Sequence, residues 1–420
     1  MFQEYVDPCS EPKNLKDLSL SQIKEAHERI KGKIVRTACK RSYYFSKIAG
    51  CDVFYKMENK QRTGSFKDRA ARNALMCLTE DERKKGVFVG SNGNYAEAMA
   101  YHGKQLGVPV TVVMPRYISL SIISLCKDFG ANVVVEGKDH SEVRAAAFKL
   151  AQEKGGKYID DHDNINVIAG AGTIGLEILE QVKDVDFVLV PVGAAGLIAG
   201  ISVAIKQTSP KTKIIGIESE ATQAFSAALK EGRPVNIEKR PSLASSLAVS
   251  AVGYNSFHIA KGNVDETVAV GDSEISLAIL RMLEREKILV EGAGAMGPAS
   301  LLAGSVEGIS GKKVVCVLSG GNIDSTIVGP SIEKGLVADH RLVMFEVLLP
   351  DRSGSLSDLF ELAARTGASV KHTAVVGFRR AFGQIIPFFM CSLYGLFNSS
   401  GLLEAFVMKA DERSGITNIS

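Results

Sequence analysis

Short apolar, β-branched runs recur along this chain, each followed by a glycine-rich turn and then by residues with helical spacing. The run VFV at 87–89 leads into Gly-Ser-Asn-Gly, and the spacing then predicts a helix over 94–106 closed by Gly107. VTVVMP at 110–115 reads as the next strand, a second helix ends at Gly130, and NVVV at 132–135 follows. FVLVPV at 187–192 leads into Gly-Ala-Ala-Gly and a helix from about Leu197, KIIGIE at 213–218 is again a strand, and KVVCVL at 313–318 leads into Ser-Gly-Gly-Asn. Strands that alternate with helices predict a parallel α/β architecture. Two groups of such units, about 55–160 and about 165–330, predict two lobes with a cleft between them.

From Arg341 the pattern changes. LVMFEVLL is a strand with no crossover before it, PDRSGSL a turn, and LSDLFELAARTG a helix with Leu356, Leu359, Phe360 and Ala363 on one face. ASVKHTAVV returns as a strand, so residues 341–420 read as a separate small α+β module behind a linker within Pro330–His340.

Composition changes this picture little. The 420 residues are 45% hydrophobic and 23% charged with a formal charge of +3, enough for more than one domain and without a basic block that points to nucleic acid or a membrane surface. Seven scattered cysteines with no CxxC pair read as reduced thiols of a cytoplasmic protein. The first residues lack the apolar core of a signal peptide, and the apolar stretch at 385–397 is shorter than the roughly 20 residues of a spanning helix.

Chemistry enters at Thr63-Gly64-Ser65-Phe66-Lys67-Asp68-Arg69. With Ser65 as cap and Ala71, Ala74, Leu75 and Leu78 as the buried face, Lys67 falls in the first turn of a helix, near Arg69. A cation is disfavoured at that end of the dipole, which favours the neutral amine that Schiff-base chemistry needs. The bland reading is a solvated surface lysine. The three turns at 90–94, 193–196 and 319–322 each end a predicted strand, where parallel sheets place ligands and where helix N-termini bind anions. Glycines also simply make turns; three of them beside a misplaced lysine point to a ligand with more than one anionic group.

Two further motifs carry alternatives. Gly170-Ala171-Gly172-Thr173-Ile174-Gly175 matches GxGxxG, and Gly193, Gly196 and Gly200 follow a strand with Glu218 ending the next one, so a dinucleotide-binding oxidoreductase is a competing reading. It gives no reason for Lys67 or for the Ser-Gly-Gly-Asn turn. Asp160-Asp161-His162-Asp163 has metal-ligand chemistry, but such a run is more often a solvated loop, and no bound metal is expected; His102 reads as packing or surface.

Together the stretches ENKQRTGSFKDRAA (58–71), GSNGNYAEA (90–98), GAGTIGLEI (170–178), VPVGAAGLIAG (190–200), EGAGA (291–295) and LSGGNID (318–324) resemble the pyridoxal 5′-phosphate (PLP)-dependent serine/threonine dehydratase and serine racemase family, from about Ile34 to Ile327. The resemblance implies a two-lobed parallel α/β fold of the tryptophan synthase beta-like type over residues 1–335, with the smaller lobe at about 55–160, and a linker at 336–340. It implies that Lys67 holds the cofactor as a Schiff base and then removes the Cα proton of the amino acid. Phe66 would pack near the ring, Asn94 would reach the ring hydroxyl, and Gly193, Ala194, Ala195, Gly196 and Leu197 would wrap the phosphate. Ser319 would face the pyridine nitrogen, a neutral partner that suits β-elimination. Ser91, Asn92, Gly93, Asn94 and Tyr95 would cradle the substrate carboxylate. The implied activity is α,β-elimination on L-threonine or L-serine to a 2-oxo acid and ammonia, by a dimer or tetramer. The C-terminal module resembles an ACT domain up to about Phe382, with Asp351 and Arg352 opening its turn; beyond that, FGQIIPFFMCSLYGLF does not read as a closing strand and helix.

Several positions depart from the family. Ala194 and Ala195 replace phosphate-loop glycines, Ala70 a glycine, and Tyr95 the usual histidine. Asn92 stands where racemases carry a second serine, which argues against racemisation; Ala244-Ser245-Ser246 and Pro241 alter the family's cation site, and no bound cation is expected. A catalytically silent binding or regulatory subunit is the alternative these departures leave open.

Overall fold

The computed structural model describes residues 14–91, 93–350, 353–365, 369–377 and 388–396. The chain forms two compact units that meet at Ser325 and Thr326.

In the first unit, β1 (Cys39–Ser42) and β2 (Asp52–Lys56) form an antiparallel pair. Then β3 (Val87–Gly90), β4 (Val110–Met114), β5 (Asn132–Val135) and β6 (Lys157–Tyr158) make a parallel sheet in the order β5-β4-β3-β6. Strands β7 (Phe187–Pro191), β8 (Lys213–Ser219), β9 (Glu266–Val270) and β10 (Lys313–Val317) join the first pair in a six-stranded sheet, β1-β2-β10-β7-β8-β9, parallel except at β1. The two expected lobes are therefore present, with one change: β2 belongs to the larger sheet, so the smaller sheet begins at Val87 rather than near residue 55. The expected strands at 110–115, 132–135, 187–192 and 213–218 fall within a residue of those observed.

The larger sheet is covered on both faces. Val188, Val190, Ile214, Val315 and Val317 enter one core, and Leu189, Ile215, Ile217, Val314 and Cys316 the other. Strands buried on both faces read as unbroken apolar runs, which is why these were legible. The apolar residues of β3 and β4 pack the smaller lobe with Ala96, Met99 and Ala100 of the helix Asn94–Leu106.

The GxGxxG match lies inside the helix Ile165–Gln181, not at a strand-to-helix turn. Its glycines permit close helix packing: a Cβ on Gly170 would come within 2.6 Å of the Arg69 carbonyl, and one on Gly172 within 2.8 Å of the Gly200 carbonyl. Glu218 accepts N–H groups of Phe225 and Ser226 at 2.8 and 3.0 Å, so the acid of the other dinucleotide pattern caps a neighbouring helix. The oxidoreductase reading is overturned on both counts.

The second unit holds β11 (Leu342–Pro350), the helix Ser355–Arg365, β12 (Ser369–Gly377) and β13 (Phe388–Leu396), with an antiparallel sheet in the order β11-β13-β12. On the helix, Leu359 and Ala363 are buried as expected while Phe360 is exposed. Residues 388–396, read as unfit for a closing strand, pair along both edges of β13; their large apolar side chains suit an extended chain. The expected linker is helical up to Ala338, within the helix Ser325–Ala338. Asp351 and Arg352 lie outside the described residues.

Candidate active site

Lys67 opens the helix Lys67–Met76. Ser65 accepts the Lys67 N–H at 3.4 Å, while Phe66 takes the cap position and donates its N–H to the Ser319 carbonyl at 2.9 Å. A bridge between Ser65 and Gly320 stitches the lysine turn to the Ser-Gly-Gly-Asn turn. The helix is not amphipathic as its apolar residues predicted: Asp68, Arg69, Arg72 and Asn73 are buried along with Ala71, Ala74 and Leu75.

Ion pairs make that burial tolerable. Arg69, fully buried, donates to Glu58 at 2.8 and 2.9 Å, to Glu177 at 2.7 and 2.8 Å, and to Thr173 at 3.2 Å. Lys56 on β2 also pairs with Glu177. Two cations therefore meet two carboxylates beneath Lys67, and Arg69 is spent on this network rather than on the lysine. His102 is buried and bonds Asp68 at 3.1 Å.

The Lys67 amine is 14% exposed. Its Nζ donates to the Asp161 carbonyl at 2.6 Å and lies 3.5 Å from the Asp161 carboxylate. The rings of Phe66 and Tyr95 stand 5.3 and 5.1 Å away. This is not a solvated surface lysine. Tyr95 is buried, its hydroxyl has no partner among the described residues, and burial, with Asp161 and Asp160 adding to it, keeps that hydroxyl protonated far above its ordinary range.

The run at 160–163 is not a solvated loop. Asp160, His162 and Asp163 are buried. Arg144 donates to Asp160 at 3.0 Å, and Asp160 accepts the N–H groups of His162 and Asp163 at 3.0 and 2.8 Å. His162 Nδ1 lies 2.6 Å from the Asp161 carboxylate, and His140 Nε2 lies 3.7 Å from it. Burial works against the charge on Asp161, but Lys67 and then His162 hold its carboxyl well below the usual range. Burial likewise works against a charged His162, and Asp160 and Asp161 outweigh it. The donor atoms of His140, Asp161 and His162 are close enough to share an ion, yet the carboxylate is already committed to Lys67 and His162.

The three turns gather around this lysine. Ser91 is buried at the end of β3, Gly93 is extended, and Asn94 opens its helix; Asn92 lies outside the described residues. Asn94 donates to Glu291 at 2.8 Å and accepts from Asn322 at 2.8 Å. Burial pushes the Glu291 carboxyl up to about 7, and burial with the nearby Asp68 does the same for Glu97, which accepts from Asn322 at 3.1 Å. These two acids and Asn322 were not anticipated as site residues, although Glu291 and Asn322 stand in the motifs EGAGA and LSGGNID.

In the second turn Ala195 has φ +71°, the left-handed region expected of a glycine, just before the buried helix start at Gly196 and Leu197. The turn is tightly seated: a Cβ on Gly196 would meet the His162 carbonyl at 2.4 Å, and one on Gly193 would meet Leu247 Cα at 3.0 Å. Ala194 accepts the Gly253 N–H at 3.2 Å. The first N–H groups of the helix Gly196–Lys206 lack intrahelical acceptors, as at any helix start, and so can receive an anion. In the third turn the Ser319 hydroxyl is buried without a hydrogen-bond partner among the described residues.

Residues 30–320 match the family described as pyridoxal-phosphate dependent enzyme. The chain belongs to that family. It is 43% identical over 353 residues to the L-threonine ammonia-lyase of Thermotoga maritima, covering 84% of this chain and 88% of the relative. The processed form of threonine deaminase isoform 2 from Solanum lycopersicum aligns with TM-score 0.71 and 30% identity, over 80% of this chain and 96% of that one. Serine racemase from Dictyostelium discoideum aligns with TM-score 0.69 and 33% identity, over 73% of this chain and 99% of that one. The cofactor of the family is PLP, and the residues fit it. A buried hydroxyl at Ser319 awaits a polar partner, a glycine-flanked helix start suits a phosphate, and a shielded amine lies between two aromatic rings.

Proposed function

We propose that this protein is an ammonia-lyase that eliminates the β-hydroxyl and then the amino group of L-threonine or L-serine, yielding a 2-oxo acid and ammonia. The observation that carries this reading is the buried, partnerless Ser319 hydroxyl in a chain 43% identical to an L-threonine ammonia-lyase. A neutral hydroxyl there would leave the ring nitrogen unprotonated, which favours elimination over transamination. When bound, the cofactor supplies the carbonyl carbon for the amine and the ring that takes up the electrons of the Cα–H bond.

The chain's own residues do the rest in this reading. Lys67 carries the cofactor and accepts the Cα proton at Nζ. Phe66 and Tyr95 exclude water from that amine, an arrangement supported by ring distances of 5.3 and 5.1 Å. Asn94 would face the ring hydroxyl, and Gly193, Ala194, Ala195, Gly196 and Leu197 would hold the phosphate. Ser91, Asn92, Gly93, Asn94 and Tyr95 orient the substrate carboxylate.

Residues 1–335 are the catalytic domain of this proposal, and the module at 341–420 is ACT-like, supported by the strand order β11-β13-β12 with a helix between β11 and β12. We assign a homodimer or homotetramer in the cytoplasm. Among the described residues no helix is long and apolar enough to cross a membrane.

Purified, PLP-loaded protein is expected to release 2-oxobutyrate from threonine or pyruvate from serine. Borohydride should fix the cofactor to Lys67, and K67A should show no such adduct. Folded, loaded protein that releases neither oxo acid would be the silent family member instead.

A further inference from the structure

Lys67 is not alone in its pocket, and its companion is unusual in kind. Asp161 reaches it twice, through a carbonyl 2.6 Å from Nζ and a carboxylate oxygen 3.5 Å from it. A carboxylate that is only 15% exposed, with no other group to hold it, would carry a large desolvation cost. Here it has a second support: its other oxygen lies 2.6 Å from His162 Nδ1, and His162 is itself buried against Asp160. The titratable and charged groups around it are Lys67, His140 and Arg144 from two helices, and Asp160 and His162 beside it in the chain. Tyr95 faces it as a neutral phenol.

Resting on the reading of Lys67 as cofactor lysine and base, we propose that Asp161 is a positioning residue for the proton transfer. Its carboxylate stabilises the ammonium that Lys67 becomes when it takes the Cα proton, and His162 fixes that carboxylate from behind. In the step the Cα–H bond breaks, its electron pair stays on the substrate side, where the cofactor would take it up, and the proton goes to Nζ as a new N–H bond. No proton passes to Asp161. The carboxylate acts by charge: an anion near the amine favours its protonated form, and burial strengthens the interaction.

The test uses D161N, D161E and H162N in the full chain. In cofactor-free protein, trinitrobenzenesulfonate labels only neutral amines, and labelling of the Lys67 peptide can be followed by mass spectrometry. D161N should speed that labelling at pH 8 several-fold, because the anion 3.5 Å from the amine is gone. In the loaded enzyme D161N should lower kcat by tenfold or more, leave KM within about twofold, and move the acid limb of the kcat profile, which reports the substrate complex where the Lys67 amine is free, to lower pH. D161E should recover part of both effects, and H162N should give intermediate ones. Should D161N fold poorly, H162N leaves the carboxylate in place and the labelling readout still decides. Wild-type labelling and an unmoved pH limb in either well-folded variant would overturn the proposal. Borohydride fixing the cofactor to a lysine other than Lys67 would overturn the underlying reading instead, whatever the Asp161 variants do.

Discussion

Replacing Arg69 by methionine tests whether the buried ion network positions the lysine helix. R69M keeps an apolar stem of similar length but removes five hydrogen bonds, four of them to carboxylates of Glu58 and Glu177. Glu177 retains Lys56, and Glu58 retains Thr37 and Gln61, but Glu58 loses its only direct cationic partner among the described residues. Breaking a buried pair by removing one member typically costs about 3–5 kcal/mol, because the other charge stays buried. For a unit of this size that corresponds to a fall in Tm of roughly 4–7 °C. The loss should depend on pH. In the native protein burial tends to raise both carboxyls, and Arg69 outweighs it, holding them below their ordinary range. Such groups contribute stability above the unfolded carboxyl value of about 4.3 and lose it as pH falls through the folded value. In R69M the Glu58 carboxyl rises instead, so the deficit should be largest at pH 7.5 and shrink by pH 5. Urea denaturation followed by circular dichroism at the two pH values measures both. A deficit below about 1 kcal/mol, or an equal one at both pH values, would refute this account of the network.

Two further outcomes follow from single residues. S319A should stabilise the cofactor-free protein by about 1 kcal/mol, since it removes a buried hydroxyl with no partner, and should weaken PLP retention in equilibrium dialysis. Burial keeps Glu291 protonated up to about pH 7, so between the unfolded carboxyl value and that pH the folded state binds the extra proton and stability falls as pH rises. E291Q should remove that slope, a difference of roughly 3 kcal/mol by pH 8, read from denaturation midpoints across pH 4.5–8.

Much of the fold was legible because strands such as VVCV in β10 are apolar on both faces and end in glycine turns. Membership of the smaller lobe was less so: β2 reads like its neighbours, and only long-range pairing with β10 assigns it to the larger sheet. Lys67, Asn94, Ser319 and the 193–196 turn could be marked from motif and position, and the structure brings their segments together. Asp161 and His162 could not, because a run of acids and histidine has the same composition whether solvated or buried. Partners distant in the chain, Arg144 at one end and Ser256 at the other, turn it inward. Glu97 was hidden for a similar reason: its carboxylate meets Asn322 of another lobe's turn rather than solvent.

The run from Asp160 to Asp163 has one end in each lobe. Arg144 of the helix His140–Lys154 grips Asp160, while Asp163 accepts the Ser256 N–H at 2.9 Å beside the helix Tyr254–Ala260. Between these anchors lie the carbonyl that holds the Lys67 amine and the carbonyl that abuts Gly196 in the 193–196 turn. The segment therefore ties the two lobes together through hydrogen bonds at both of its ends. Any spreading of the lobes is geared, through four consecutive residues, to both the amine and that turn at once.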